Sequence, residues 1–218
     1  MASDRKNETG TPFTSLKDGS TDSTAIAAYY DDWAEKYDTD LKNWNYQAPQ
    51  EAASALTTLL QAGDQVLDVG CGTGMFGQAL TRQLDCHVDG IDISSASLLK
   101  AEAHGIYAHL QQHDLQKTPL PFGDNSFDAA ACVGIMTYIE DADSLFVDLC
   151  RIVRPGGHVL FTQREDRWAE KDFDAVLQRM ADGNLWTALK VSEAVPYLPG
   201  NEDFGDSIGV IHVLCRVA

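Results

Sequence analysis

The stretch Val66-Leu67-Asp68-Val69-Gly70-Cys71-Gly72-Thr73-Gly74 constrains this chain more than any other. An apolar run over 65–69 leads directly into a glycine-dense turn, and apolar residues then recur at helical spacing over 75–84. Strand, tight turn and helix in that order make the opening unit of a doubly wound α/β sheet. Gly70, Gly72 and Gly74 serve such a turn by allowing positive φ and by letting a ligand approach the main chain with no Cβ in the way. Asp68 ends the strand, where a buried carboxylate is costly unless a cationic or N–H-bearing group pairs with it.

Two registers fit a nucleotide cofactor. Gly72-Thr73-Gly74-Met75-Phe76-Gly77 matches the dinucleotide pattern G-x-G-x-x-G. Asp92 follows Gly72 by 20 positions and closes the next apolar run, which suits a ribose-binding carboxylate in either register. The dinucleotide register places Asp68 and Gly70 inside a buried parallel strand, which should be apolar throughout. The other places Asp68 at the strand's carboxyl end, facing a ligand, and is preferred. A nicotinamide-dependent oxidoreductase is the alternative, although none of the seven tyrosines has a lysine four positions on.

Downstream, the pattern predicts helices over 49–61, 95–104 (capped by Ser94 or Ser95), 141–153 and 172–181. Strands are expected at 106–111, 129–133 and 158–162, with two last runs at 186–195 and 208–217 forming an antiparallel hairpin. Val133 and Gly134 fall at the carboxyl end of the fourth strand, where ligands of open α/β sheets bind, and Tyr138 follows as a candidate for orienting a substrate. Aromatic residues at 29, 30, 33 and 37 continue a helical period over 24–44. Residues 1–22 carry only Phe13 and Leu16 as sizeable apolar groups and read as a disordered tail before a domain over 23–218.

The net charge of −17 disfavours a nucleic-acid partner or an anionic membrane surface. No apolar run reaches the ~18 residues of a membrane span. The polar start lacks a signal-peptide core, and five scattered cysteines read as reduced thiols of a cytoplasmic protein. The scattered histidines suggest no metal site.

Taken together, Asp68-Val69-Gly70-Cys71-Gly72-Thr73-Gly74 resembles the first motif of class I S-adenosylmethionine-dependent methyltransferases. Leu149-Cys150-Arg151-Ile152-Val153-Arg154-Pro155-Gly156-Gly157-His158-Val159-Leu160 looks like their post-core segment. The resemblance covers about 24–217. Tyr30-Asp31-Asp32-Trp33-Ala34-Glu35-Lys36-Tyr37-Asp38 looks like the N-terminal lid of the small-molecule enzymes, here 23–48. The layout is most like the methyltransferase-like family of the Williams–Beuren syndrome region and the quinone-biosynthesis methyltransferases.

The resemblance implies a Rossmann-like, three-layer α/β/α fold with a seven-stranded sheet of order 3-2-1-4-5-7-6, its last strand antiparallel. It implies S-adenosyl-L-methionine as cofactor and S-adenosyl-L-homocysteine as product. Asp92 would take the ribose hydroxyls and Ile93 an adenine face. Asp114 and Leu115 would recognise the adenine edge, Tyr37 and Trp33 would reach over the cofactor, and Tyr37 with Tyr138 would flank the reacting methyl group. In-line transfer needs alignment and exclusion of water more than acid–base help. No assured base is evident, so the acceptor is expected to be a small molecule already nucleophilic, and the protein a monomer or weak homodimer. A non-catalytic cofactor-binding regulator is the remaining alternative.

Overall fold

The computed structural model describes residues 15–205 and 207–218. Strands β1 (Gln65–Val69), β2 (His87–Asp92), β3 (Tyr107–Gln112), β4 (Phe127–Cys132) and β5 (Val153–Arg164) are parallel neighbours in the order β3-β2-β1-β4-β5. β8 (Gly209–Val217) then runs antiparallel between β5 and β6 (Trp186–Val191), which completes the Rossmann-like order expected from the sequence. One addition is the two-residue β7 (Val195–Pro196), which pairs with the start of β8.

The period of two along the strands sorts side chains onto two buried faces. Val66, Val88, Ala129, Ala131 and Leu160 pack against α3 (Ala48–Thr57) and α4 (Met75–Thr81). Leu67, Val69, Ile91, Ala130, Cys132 and Phe161 point the other way, onto α6 (Ala142–Ile152) and α8 (Phe173–Asp182). Both faces are covered, hence the apolar strands and the three layers. Ser94 caps the remaining sheet helix, α5 (Ser95–Ala103), by accepting the Ser97 N–H at 3.0 Å.

Three expectations are revised. The aromatic stretch forms two helices, α1 (Ser23–Trp33) and α2 (Tyr37–Asn43), not one. Trp33 Nε1 donates to Asp40 at 2.8 Å and holds them together. The Arg154-Pro155-Gly156-Gly157 segment does not leave the sheet. It bulges out of β5, whose register slips between the pairs Phe127↔Val153 and Ala129↔His158. After β5 the chain continues into α7 (Glu165–Glu170), and Arg164, at the junction, is 3% exposed. The expected tail lies outside the described residues over 1–14, whereas 15–22 is held against the domain. Arg164 donates to the carbonyls of Leu16 (2.6 Å) and Lys17 (3.0 Å), and Arg167 to those of Lys17 and Asp18 (both 2.9 Å).

Candidate functional site

The parallel strands bring their carboxyl ends to one edge, and the turns leaving β1, β2, β3 and β4 meet there. After β1 the chain bends through Gly70 at φ +70°, where an added Cβ would come within 2.3 Å of the Ile135 side chain. Gly134, after β4, sits at φ +78°, and a Cβ there would lie 2.7 Å from the Tyr46 hydroxyl. Glycine at both points therefore answers to the backbone conformation and to the neighbours.

Asp92 closes β2 and faces back over this loop. Its carboxylate accepts the Gly72 N–H and the Ser94 N–H, each at 2.8 Å. Burial pushes its pKa up, and these backbone donors work against that shift. Asp114 accepts from Ser23 Oγ at 2.9 Å and from the Gln116 N–H at 3.1 Å. Asp68 is 1% exposed and is paired from within the protein. The Tyr107 hydroxyl donates to it at 2.7 Å, the Gly77 N–H also donates, and burial still lifts its pKa to about 7.

Three adjoining hollows occupy this edge. The largest, of about 670 Å³, runs between Asp92, Ile93, Asp114 and Leu115 on one side and Gly70, Gly72, Val133 and Gly134 on the other. Ile26, Tyr30 and Tyr37 cover it from α1 and α2, and Tyr138 and Ile139 close its far end. A second hollow of about 320 Å³ contains Asp68, Cys71 and Thr73. A third, of about 270 Å³, is walled by Tyr30, Trp33, Tyr37, Tyr46 and Tyr197. Tyr37 lines all three.

The predicted residues thus converge on one edge, with distinctions that the spacing did not reveal. Asp68 and Cys71 face the second hollow, not the large cleft. Trp33 lines the outer aromatic chamber and not the cleft. Gly74 lines none of the three; it caps α4 at φ +94° and abuts the Tyr107 ring. Tyr138 lines the cleft and not the aromatic chamber, and a hydrogen bond and an edge-on ring contact tie it to Tyr30.

Several residues went unnoticed in the sequence. Asp31 accepts from Ser94 Oγ (2.7 Å) and the Ala96 N–H (3.0 Å), and Asp38 accepts from Thr73 Oγ1 (2.5 Å), so two carboxylates of α1 and α2 grip the loops after β2 and β1. Both stand in the aromatic string beside Tyr30 and Tyr37, a signal that was available. Tyr107, Gln116 and Tyr197 carried none. Gln116 spans the cleft's end, donating to the carbonyl of Tyr138 at 2.7 Å and accepting the Glu140 N–H at 3.1 Å.

Burial raises the pKa of every phenol here, so Tyr30, Tyr37, Tyr46, Tyr138 and Tyr197 are neutral donors and acceptors and none is a base near neutral pH.

A family model described as a methyltransferase domain matches residues 66–157. Over 167 residues the chain is 31% identical to methyltransferase-like protein 27 of Homo sapiens, covering 74% of this chain and 68% of that protein. It is 34% identical over 103 residues to the ubiquinone biosynthesis O-methyltransferase of Alkalilimnicola ehrlichii, covering 46% of this chain and only 41% of that relative. Among solved structures, one similar chain comes from the complex between the Haloferax volcanii Trm112 methyltransferase activator and a methyltransferase. Its TM-score is 0.67 at 17% identity, covering 86% of this chain and 97% of that one, a likeness of fold.

Proposed function

The chain belongs to the class I S-adenosylmethionine-dependent methyltransferases, and from that premise we propose that it transfers a methyl group in line to a small-molecule acceptor. The observation that carries this reading is the cleft of about 670 Å³ with carboxylates at Asp92 and Asp114 and a tyrosine lid over it. The residues present fit the cofactor. Asp92 would accept from two ribose hydroxyls and Asp114 from an exocyclic adenine amine, while Ile93 and Leu115 would offer apolar faces to the base. Gly70, Gly72, Val133 and Gly134 would let the ligand lie against the main chain, and Cys71 and Asp68, which border the second hollow, would adjoin its amino-acid end.

S-adenosylmethionine supplies an electrophilic methyl carbon. The protein's part is alignment and exclusion of water. Tyr37 lines all three hollows, and its ring would favour a cationic centre held there. Tyr138 holds the far end of the cleft through its bond to Tyr30. The ubiquinone and geranyl diphosphate methyltransferases among similar proteins are compatible with a small acceptor. The charge of −17 fits no nucleic-acid partner, and five free cysteines fit a reducing, cytoplasmic setting.

Calorimetric titration tests the reading. S-adenosylmethionine should bind and NADH should not, and Asp92→Ala should weaken binding about tenfold or more, ~1.4 kcal/mol, because two backbone N–H groups and the ribose lose their acceptor together. Tight binding of NADH instead would establish the oxidoreductase reading. Binding without labelled methyl transfer to any size fraction of cell extract would favour a non-catalytic role.

A further inference from the structure

The turn that leaves β4 carries the cleft wall formed by Ile135, Tyr138 and Ile139. Met136–Tyr138 makes a single 3₁₀ turn, too short to use its own carbonyls. Two side chains from elsewhere in the fold take them. Lys171, between α7 and α8, donates from Nζ to the carbonyls of Met136 (3.4 Å), Thr137 (2.8 Å) and Ile139 (2.6 Å). Gln116 donates to the intervening carbonyl of Tyr138 at 2.7 Å and accepts the Glu140 N–H at 3.1 Å. Four successive carbonyls are thereby fixed, by one group outside the cleft and one that lines it.

An ammonium carries three N–H donors, and three carbonyls converge on this one. A half-buried charge is a poor device for stability alone, because lost hydration offsets most of what its bonds return. What the convergence supplies is a fixed shape. Gln116 extends it. Its amide also reaches the Thr21 carbonyl at 3.2 Å, and it follows Asp114 and Leu115 directly in the chain. The turn after β3, the turn after β4 and the segment before α1 are therefore joined at one end of the cleft.

Resting on the methyltransferase reading above, we propose that Lys171 is a positioning residue for the cofactor cleft. Acting through the carbonyls of 136–139, and jointly with Gln116, it holds Tyr138 and Ile139 in the wall against which S-adenosylmethionine binds.

The test measures S-adenosylmethionine affinity by calorimetry and amide exchange by NMR in the full chain. Lys171→Met should weaken binding about tenfold, and Lys171→Arg, which keeps a charged multiple donor, by less than about threefold. Lys171→Gln, with a neutral amide donor, should fall between them. The Glu140 amide, whose acceptor is Gln116 and not Lys171, should exchange about tenfold faster in Lys171→Met, while the amides of β1 keep their rates. Gln116→Leu should also weaken binding, and the double variant should lose about as much as the worse single one, because both act on one turn. Arg154→Met breaks an ion pair with Asp128 at the start of β4 and should leave affinity within about twofold, which separates positioning from a general loss of stability. Unchanged affinity and exchange in Lys171→Met and Lys171→Gln, equal losses in Lys171→Arg and Lys171→Met, or additive losses in the double variant each overturn the proposal while leaving the methyltransferase reading intact. Failure of the wild-type chain to bind S-adenosylmethionine overturns both.

Discussion

Asp68 illustrates how much a single residue's role depends on its partner. Its position announced a carboxylate in need of pairing, and a ligand seemed the natural source. The protein supplies the Tyr107 hydroxyl instead, 39 residues away in the chain. Tyr107→Phe should therefore destabilise the fold by about 1–3 kcal/mol, because a buried carboxyl loses its donor, and urea denaturation measures this. The pH sign follows from a folded pKa of about 7 against ~3.9 unfolded. The native state holds its proton more tightly, so the contribution is fully present below about pH 4 and is lost as pH rises through 7. Asp68→Asn should flatten the fall in urea midpoint between about pH 4 and 7. An unchanged slope would assign the fall to other groups.

At the scale of elements, α1 and α2 are clamped to the sheet-edge loops rather than laid loosely over them. α1 is fixed to the start of α5 by Asp31, and α2 to the glycine turn by Asp38 through Thr73. Asp31→Ala removes an acceptor from the first turn of α5, worth about 1 kcal/mol. Hydrogen exchange over 23–43 should speed up several-fold, and S-adenosylmethionine should bind several-fold more weakly, while exchange in β1 and β4 stays unchanged. Thr73→Val should loosen α2 selectively, so that faster exchange is confined to 37–43. Helical spacing of aromatic residues was enough to place a helical segment here. Its break into two helices depends on Asp40 reaching the Trp33 indole, a side-chain contact that periodicity does not encode.

For the molecule as a whole, the edge that carries the site is held together by contacts distant in sequence. Arg164 and Arg167, at the end of β5 and in α7, bind the backbone of 16–18, and Leu16 in turn walls the aromatic chamber. Arg164→Met keeps an apolar stem but drops these bonds. It should expose 15–22 to limited proteolysis and raise KM for the acceptor while leaving cofactor affinity within twofold. The sequence alone determined the run β1-α4-β2-α5-β3-β4-α6-β5, the apolar burial of the strands, the glycine turn and the placing of Asp92, Asp114, Val133 and Gly134 at one edge. These follow from periodicity, backbone freedom and the geometry of parallel strands, which act over a few residues at a time. Only the tertiary structure decided that Asp68 pairs with Tyr107, that Trp33 lines an outer chamber, and that Arg164 is buried with its partners 148 residues earlier. Such pairings depend on which surfaces the packed layers bring into contact, and no local pattern in the chain records that.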